Sequence, residues 1–488
     1  MKRLIIKYAA IVFILSFQSG FAQNYNDALL LSEPGVYTGA RALSMGNSFI
    51  SLSNDFSGVL FNPAGIGLIK KSQLSFAMNL NSLSNQTTSF NSTTGINKTS
   101  ISFNQFGLVY PMPTAKGSWV FALGYNNTKD FNGSMQFNGF NSANNSMIQA
   151  LTGEYNDQIP ITNDVKLSYE IRDPLTDKYI RDTTLINGFL NQSGTIKKEG
   201  NIGKWSFASS MEFAKGFFLG GTFNILSGSY KSEREYWEDD TGDNYSTDLQ
   251  LVPGDNTTRD FQSFYFNDII DWDLSGWDAQ LGLLYNWKDF IRFGASIKFP
   301  SYYTVKETYY VNARSTFGTG YEYAMETPIN DPIEYEIKTP FEYSVGASTS
   351  FLLFTFSGDV KLIDYTQMEF TKGFDSNYRI ERQKEIDALF RTTINYYAGG
   401  EIKIPFLPIY GRVGAMYLQS PYAEDPMDFD KKYVTVGAGI NFEDTFIIEG
   451  AYSYGWWTNF GDNYGSNLSR TYQDITVENV ILNLSARF

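Results

Sequence analysis

Apolar and polar residues alternate along much of this chain with a period of two. In the last nine residues, Val480, Leu482, Leu484, Ala486 and Phe488 share one parity, and Asn483, Ser485 and Arg487 share the other. Successive strand side chains point to opposite faces, so this segment has one oily face and one wet face. The pattern recurs. Trp205, Phe207, Met211 and Phe213 oppose Ser206, Ser210 and Glu212. Trp277, Ala279, Leu281 and Leu283 oppose Asp278, Gln280 and Gly282. Ile291, Phe293, Ala295, Ile297 and Phe299 oppose Arg292, Ser296 and Lys298. Phe354, Phe356, Val360 and Leu362 oppose Thr355, Ser357, Asp359 and Lys361. Charges recur on the second parity and almost never on the first, which suits lipid on one side and a wet lumen or polar plug on the other. A soluble two-sided sheet alternates too, but no repeat of domain length supports an array of β-sandwiches.

The pattern predicts strands at 73–84, 99–112, 118–138, 203–214, 216–231, 276–287, 290–309, 338–351, 353–371, 391–404, 409–419, 432–442, 446–458 and 472–488. That is about 14 strands, an even number, as single-chain bacterial barrels have. Tight turns such as Lys288-Asp289 and Glu443-Asp444 alternate with long polar connections at 139–200, 232–274, 310–337, 372–390 and 459–471. Short periplasmic turns and long outer loops give that asymmetry. Within the loops, Ser146–Tyr155, Thr184–Gln192 and Phe261–Asp271 are expected as short helices. The fold class is therefore all-β: a transmembrane antiparallel β-barrel spanning 72–488, with long extracellular loops.

The ends sharpen this picture. Lys2, Arg3 and Lys7 precede a short apolar run from Ala9 to Phe17, and Gly20, Phe21 and Ala22 suit a cleavage site, so residues 1–22 read as a signal peptide removed before Gln23. No other apolar run approaches the roughly 20 residues of a spanning helix. A membrane location then requires a closed barrel, which satisfies every backbone group between strands. The terminal aromatic Phe488 resembles the signal by which outer-membrane barrels are recognised, so lipid and the barrel-assembly machinery are the expected partners, with the protein a monomer.

Composition removes whole classes of chemistry. The formal net charge is −14, which argues against nucleic acid, whose binding needs clustered cations. There is no Cys and no His, which excludes disulfides, thiolate metal sites, Ser-His triads and imidazole catalysis. Tyr (33), Phe (40) and Gly (42) are abundant, as aromatic girdles and small lumen-facing residues require. The acidic run Glu233, Glu235, Glu238, Asp239, Asp240, Asp243 lacks the spacing of a calcium loop and reads as a solvated outer loop. Carboxylate pairs such as Asp425 and Asp428 arise by chance among many loop acids and carry no glycosidase reading. No cofactor, no metal and no enzymatic activity is expected.

Residues 23–71 differ from the rest, with six glycines and two prolines between Pro34 and Gly67. This helix-and-turn segment is too apolar to wave in water, and a barrel of about 14 strands is too wide for its own side chains to fill. The economical arrangement is a hatch inside the lumen. Its Gly39–Ser48 stretch, then Asn54-Asp55 and Phe61-Asn62-Pro63-Ala64-Gly65, resembles the hatch of the long-chain fatty acid transporter and aromatic-hydrocarbon channel family. Arg391–Pro405, Tyr410–Pro421, Tyr433–Phe442 and Phe446–Asn459 follow the order of that family's last hairpins, whereas 139–275 does not align. The resemblance implies passive uptake of a hydrophobic small-molecule ligand, from a lumen site out through a gap in the wall made by an inward kink in the third strand.

Two groups of residues are candidates for that path. Asn62-Pro63-Ala64-Gly65 makes a rigid turn, with an Asx-type closure, a fixed φ and a permissive glycine. With Phe56, Leu60 and Phe61 it either lines the ligand path or only hinges the hatch into the first strand. Gly124, Asn126 and Asn127 interrupt the alternation Trp119, Phe121, Leu123, Tyr125 and mark a bulge or bend; the other reading is a strand that simply leaves the membrane there. The alternative function is a structural or adhesive outer-membrane barrel acting through its long loops.

Overall fold

The computed structural model describes residues 25–35, 39–152, 161–325, 329–464 and 468–488. The expected signal segment lies outside them. The described chain closes into a 14-strand antiparallel barrel. In chain order the strands are β1 (Gln73–Ser89), β2 (Ser92–Met112), β3 (Trp119–Asp130, continued by Gly133–Asn141), β4 (Leu190–Ala214) and β5 (Phe217–Asp239). Next come β6 (Phe261–Trp287), β7 (Ile291–Lys298 and Tyr302–Phe317), β8 (Ile329–Lys338 and Glu342–Phe351) and β9 (Phe354–Asp364 and Glu369–Lys372). The last five are β10 (Thr392–Lys403), β11 (Ile409–Leu418), β12 (Lys431–Phe442), β13 (Phe446–Asp462) and β14 (Arg470–Arg487). Closure is the pairing of β1 with β14, from Gln73 opposite Arg487 to Thr88 opposite Tyr472.

The period-two pattern sets which way each side chain points. Trp277, Leu281, Phe293, Phe356, Val436, Leu482 and Leu484 are exposed on the outer wall, while their polar neighbours Asp278, Gln280, Ser296 and Asp359 are buried inward. Ile440, expected on the same oily face, is half-buried there, opposite the exposed Ile448. The outward apolar band is short. On β5 it runs Phe217, Leu219, Phe223, Ile225 and then turns polar at Ser227, Ser229 and Lys231. At about 3.3 Å per residue, the remainder of β5 stands well clear of an apolar band about 25 Å tall. Two-residue turns with positive φ close the opposite ends, at Lys288-Asp289 (φ 55 and 58) and Glu443-Asp444 (φ 50 and 56). Such turns match the twist of the strands they join.

The tall strands β4 to β7 carry a packed cap. Phe137, Met147, Ile148, Ile161, Leu167, Tyr236, Phe261, Phe264 and Phe317 form a hydrophobic cluster of their own. Several expectations for the loops are corrected here. Near the first expected helix, whose residues 153–155 lie outside the described ones, the chain forms the short helices Met147–Leu151 and Ile161–Asp164. Residues 184–192 are turn and strand, and 261–271 belong to β6, because cross-strand pairing with β5 and β7 overrides their local helical character. The acidic run is no solvated loop either. Glu238 is fully buried and accepts from Met147 N (2.7 Å), Ile148 N (3.3 Å), Gln192 Nε2 (2.8 Å) and Tyr236 OH (2.9 Å), so it caps the Met147–Leu151 helix. An unanticipated helix, Ser376–Leu389, begins at Asp375, whose carboxylate accepts from Asn377 N and Tyr378 N. Among the described residues no helix is long and apolar enough to cross a membrane.

Candidate functional site

The segment before β1 is short helices and turns: Tyr25–Ser32, Ala40–Ser44, Gly58–Phe61 and a 3₁₀ turn Pro63–Leu68. Helices this short leave most backbone groups unpaired internally. The inward hydroxyls and amides of the barrel supply the partners. Ser210 on β4 donates to Ala64 O (2.9 Å), Thr222 on β5 to Val59 O (3.0 Å), and Gln280 on β6 and Ser296 on β7 both to Phe61 O (2.8 and 2.9 Å). Ile50 N donates to Asp359 on β9 (2.8 Å), and Gly46 N to Thr435 on β12 (3.2 Å). The segment is therefore held by strands spaced widely around the barrel.

Asn62 is the hinge of this seat. Its amide nitrogen donates to Ile50 O and to Leu283 O of β6, both at 2.9 Å, and its oxygen accepts from Ala64 N (3.1 Å). One side chain thus closes the Asn-Pro turn, ties it to the preceding helix turn and fixes it to the wall. Gly282 lets it approach, since a Cβ there would overlap the Asn62 oxygen. Pro63, Ala64 and Gly65 are buried behind it. Phe56 is fully buried over the paired glycines Gly107 and Gly124, where a Cβ on either would enter its ring. It packs with Val59, Ile66, Val109 and Val120. Leu60 and Phe61, by contrast, point to a chamber on the cap side, so the residues around the turn divide between seat and chamber.

That chamber has an apolar floor of Ile50, Leu60 and Phe61, and walls that carry Lys129, Lys204, Lys298 and Lys361. Each cation has a partner. Lys204 meets Asp278 (2.6 Å), Glu342 bridges Lys298 (2.5 Å) and Lys361 (2.7 Å), and Lys129 donates to Glu33 O (2.8 Å) and Leu30 O. Above it, aromatic residues Tyr230, Trp272, Tyr303, Tyr335 and Phe370 pack with Ala28, Leu29 and Leu31 of the Tyr25–Ser32 helix. On the opposite side of the turn segment lies a charged basin. There Arg412 joins Glu401 (2.6 Å) and Glu449 (2.9 Å), and Arg41 reaches Glu401 (3.4 Å). Burial opposes the Arg41 charge, but Glu401 and Asp55 outweigh it and hold the guanidinium above its ordinary value. Burial likewise raises the Asp55 carboxyl, against the pull of Arg41.

The third strand breaks at Asn126 and Asn127, not at Gly124. Gly124 stays in register with both Gly107 and Ser206. Asn126, opposite Gln105, is the last residue of β3 to pair with β2. The register against β4 then shifts between Asn127 and Lys129, leaving Thr128 as the bulged residue. Beyond this point β2 pairs with β1 alone, and the continuation of β3 pairs with β4. Asn85, on the inner face of β1, donates to Ser134 O (3.1 Å), so β3 has left the wall and crosses behind β1. Gly35 lies against the Thr128 carbonyl at the bend. Lys129 and Thr128 carried a signal in the sequence: Asn126, Asn127, Thr128 and Lys129 no longer alternate, which a continuing strand would do.

No family model and no curated sequence matches the chain. Solved structures do. The P. putida toluene transporter TodX is 13% identical, with a TM-score of 0.54 over 93% of this chain and 99% of that one. A Pseudomonas aeruginosa FadL homologue is 13% identical, with a TM-score of 0.55 over 94% and 99%. The Ralstonia pickettii toluene transporter TbuX is also 13% identical, with a TM-score of 0.51 over 93% and 99%. This chain has the fold of those channels. The likeness covers almost the full length on both sides.

Proposed function

We propose that this protein is an outer-membrane channel for the passive uptake of hydrophobic compounds, with residues 39–71 as a lumen plug and a lateral exit at the β2–β3 break. Four features support the reading: the lipid-facing apolar band, the multiply anchored turn segment, the chamber floored by Leu60 and Phe61, and the fold shared with hydrocarbon and fatty acid channels. The observation that carries the exit is the departure of β3 from the wall after Asn126. A ligand with a long alkyl chain loses about 25 cal/mol for every Å² it exposes to water. The ion-paired basin around Glu401 and Arg412 offers such a ligand no apolar route to the periplasm, whereas the break opens beside Phe76, Phe103 and Tyr125 on the lipid face. The same chamber favours a channel over an adhesive barrel, which has no use for an apolar floor.

The test is uptake of a labelled long-chain fatty acid and of a labelled monoaromatic hydrocarbon by cells treated with a protonophore. Uptake of at least one above the empty-vector rate, unchanged by the protonophore, supports the proposal. Equality with the vector control for both, at confirmed barrel abundance, rejects it. Deleting Thr128 restores the register of β3 and should abolish the gain.

A further inference from the structure

The wall break carries several neutral hydrogen-bonding atoms that have no partners. Asn126 is completely buried, and neither its amide nitrogen nor its oxygen is hydrogen-bonded. Directly across the ladder, Gln105 is 2% exposed and its carbonyl oxygen is also unpartnered. On the neighbouring stretch of β1 and β2, the Asn81 oxygen and the Ser102 hydroxyl are in the same state. Buried polar groups without partners are costly, and they are rare enough in folded proteins to need an explanation. These four residues lie on the inner faces of the strand segments that flank one break. A break that served a pure hydrocarbon would gain nothing from them.

Resting on the channel reading above, we infer that the permeant is an amphiphile with a neutral hydrogen-bonding head, such as an alcohol or amide, and that Asn126 and Gln105 select it at the exit. The balance of groups decides the charge of the head. The unpartnered atoms are three carbonyl oxygens, one amide nitrogen and one hydroxyl. A hydroxyl or amide head donates to the oxygens and accepts from the nitrogen. A carboxylate only accepts, and it would face Asp130, which already receives Asn81 Nδ2 and Ser100 Oγ at 3.5 and 3.4 Å. In the chamber behind the break Lys204 is paired with Asp278, Lys298 and Lys361 share Glu342, and Lys129 is held by the carbonyls of Leu30 and Glu33.

The test compares hexadecan-1-ol, hexadecanoate and hexadecane, which share one chain length, in proteoliposomes holding the full protein. The alcohol is expected to cross about tenfold faster than the alkane, the effect of one or two satisfied hydrogen bonds, and faster than the carboxylate. In Asn126→Leu/Gln105→Leu the alcohol-to-alkane ratio should fall towards unity. If that variant fails to assemble, Asn126→Ala carries the test, because alanine removes both amide atoms and adds no bulk. Equal rates for alcohol and alkane in the parent protein, a carboxylate faster than the alcohol, or an unchanged ratio in the variants overturns the inference while leaving the channel in place. Transport of none of the three rejects the channel reading, and this inference with it.

Discussion

Replacing Phe56 with Ala should loosen the turn segment proposed as a plug and leave the barrel standing. The ring is fully buried between the turn segment and the wall, on the Gly107–Gly124 pair, with Val59, Ile66, Val109 and Val120 around it. Nothing nearby can collapse into the hole, because two of the facing positions have no side chain. A Phe→Ala change in such a site costs about 3–5 kcal/mol. Barrel strands are held by their ladders, so the loss falls on docking of the turn segment, whose undocked population should rise about 140- to 3,700-fold. The chain has no native cysteine, so a Val59→Cys variant, altered at a fully buried position beside Phe56, reports undocking cleanly. In the Phe56→Ala background a water-soluble maleimide should label the thiol at position 59 at least about 100-fold faster, with opening in rapid equilibrium, while heat-modifiability of the barrel stays normal. Labelling at the parental rate would refute the idea that Phe56 pins a separable plug.

Other expectations follow from the same contacts. Gly124→Val should also speed thiol labelling in the Val59→Cys variant, by driving the Phe56 ring off its seat, and overpacking of this kind costs about 1–3 kcal/mol. Asn62→Ala leaves the Ile50 and Leu283 carbonyls without their donor and should raise the same labelling by about tenfold or more, at a cost of about 1–3 kcal/mol. Arg41→Met should increase single-channel ion conductance in planar bilayers if the turn segment is the proposed plug, because Arg41 is that segment's ion pair to the basin, whereas Glu401 keeps Arg412; conductance equal to the parent would contradict it. Single cysteines replacing Phe293, Phe356, Val436, Leu482 and Leu484 should react with membrane-soluble but not water-soluble probes, and the reverse would remove these positions from the lipid face.

The wall was legible in the sequence because its two faces differ at every second residue. Trp277 and Asp278 declare their sides by chemistry alone, and the strand count follows. The cap was not legible, since Phe261, Phe264 and Phe266 can pack equally in a helix or on a strand, and only pairing with β5 and β7 decides. The Asn-Pro-Ala-Gly turn could be named from propensity, but not that its Asn62 amide is spent on Leu283, 221 positions away. Phe56 looked like a ligand-path residue because it is aromatic and near the turn; the facing glycines that make it a seat lie on two later strands. Of the three residues named for the break in β3, Asn126 and Asn127 stand at it and Gly124 does not. Gly124 is instead kept bare by the Phe56 ring, and the register shifts only after Asn127.

The most direct test of lateral passage is photolabelling. A long-chain compound bearing a diazirine at its tail, irradiated with the protein in its membrane, marks whatever lines the route. The expected adducts map to Leu60 and Phe61 in the chamber and to Phe103, Tyr125 and Asn126 at the break. Adducts on the basin residues Arg41, Arg292 and Arg412, with none at the break, would show that the ligand leaves towards the periplasm and contradict lateral exit.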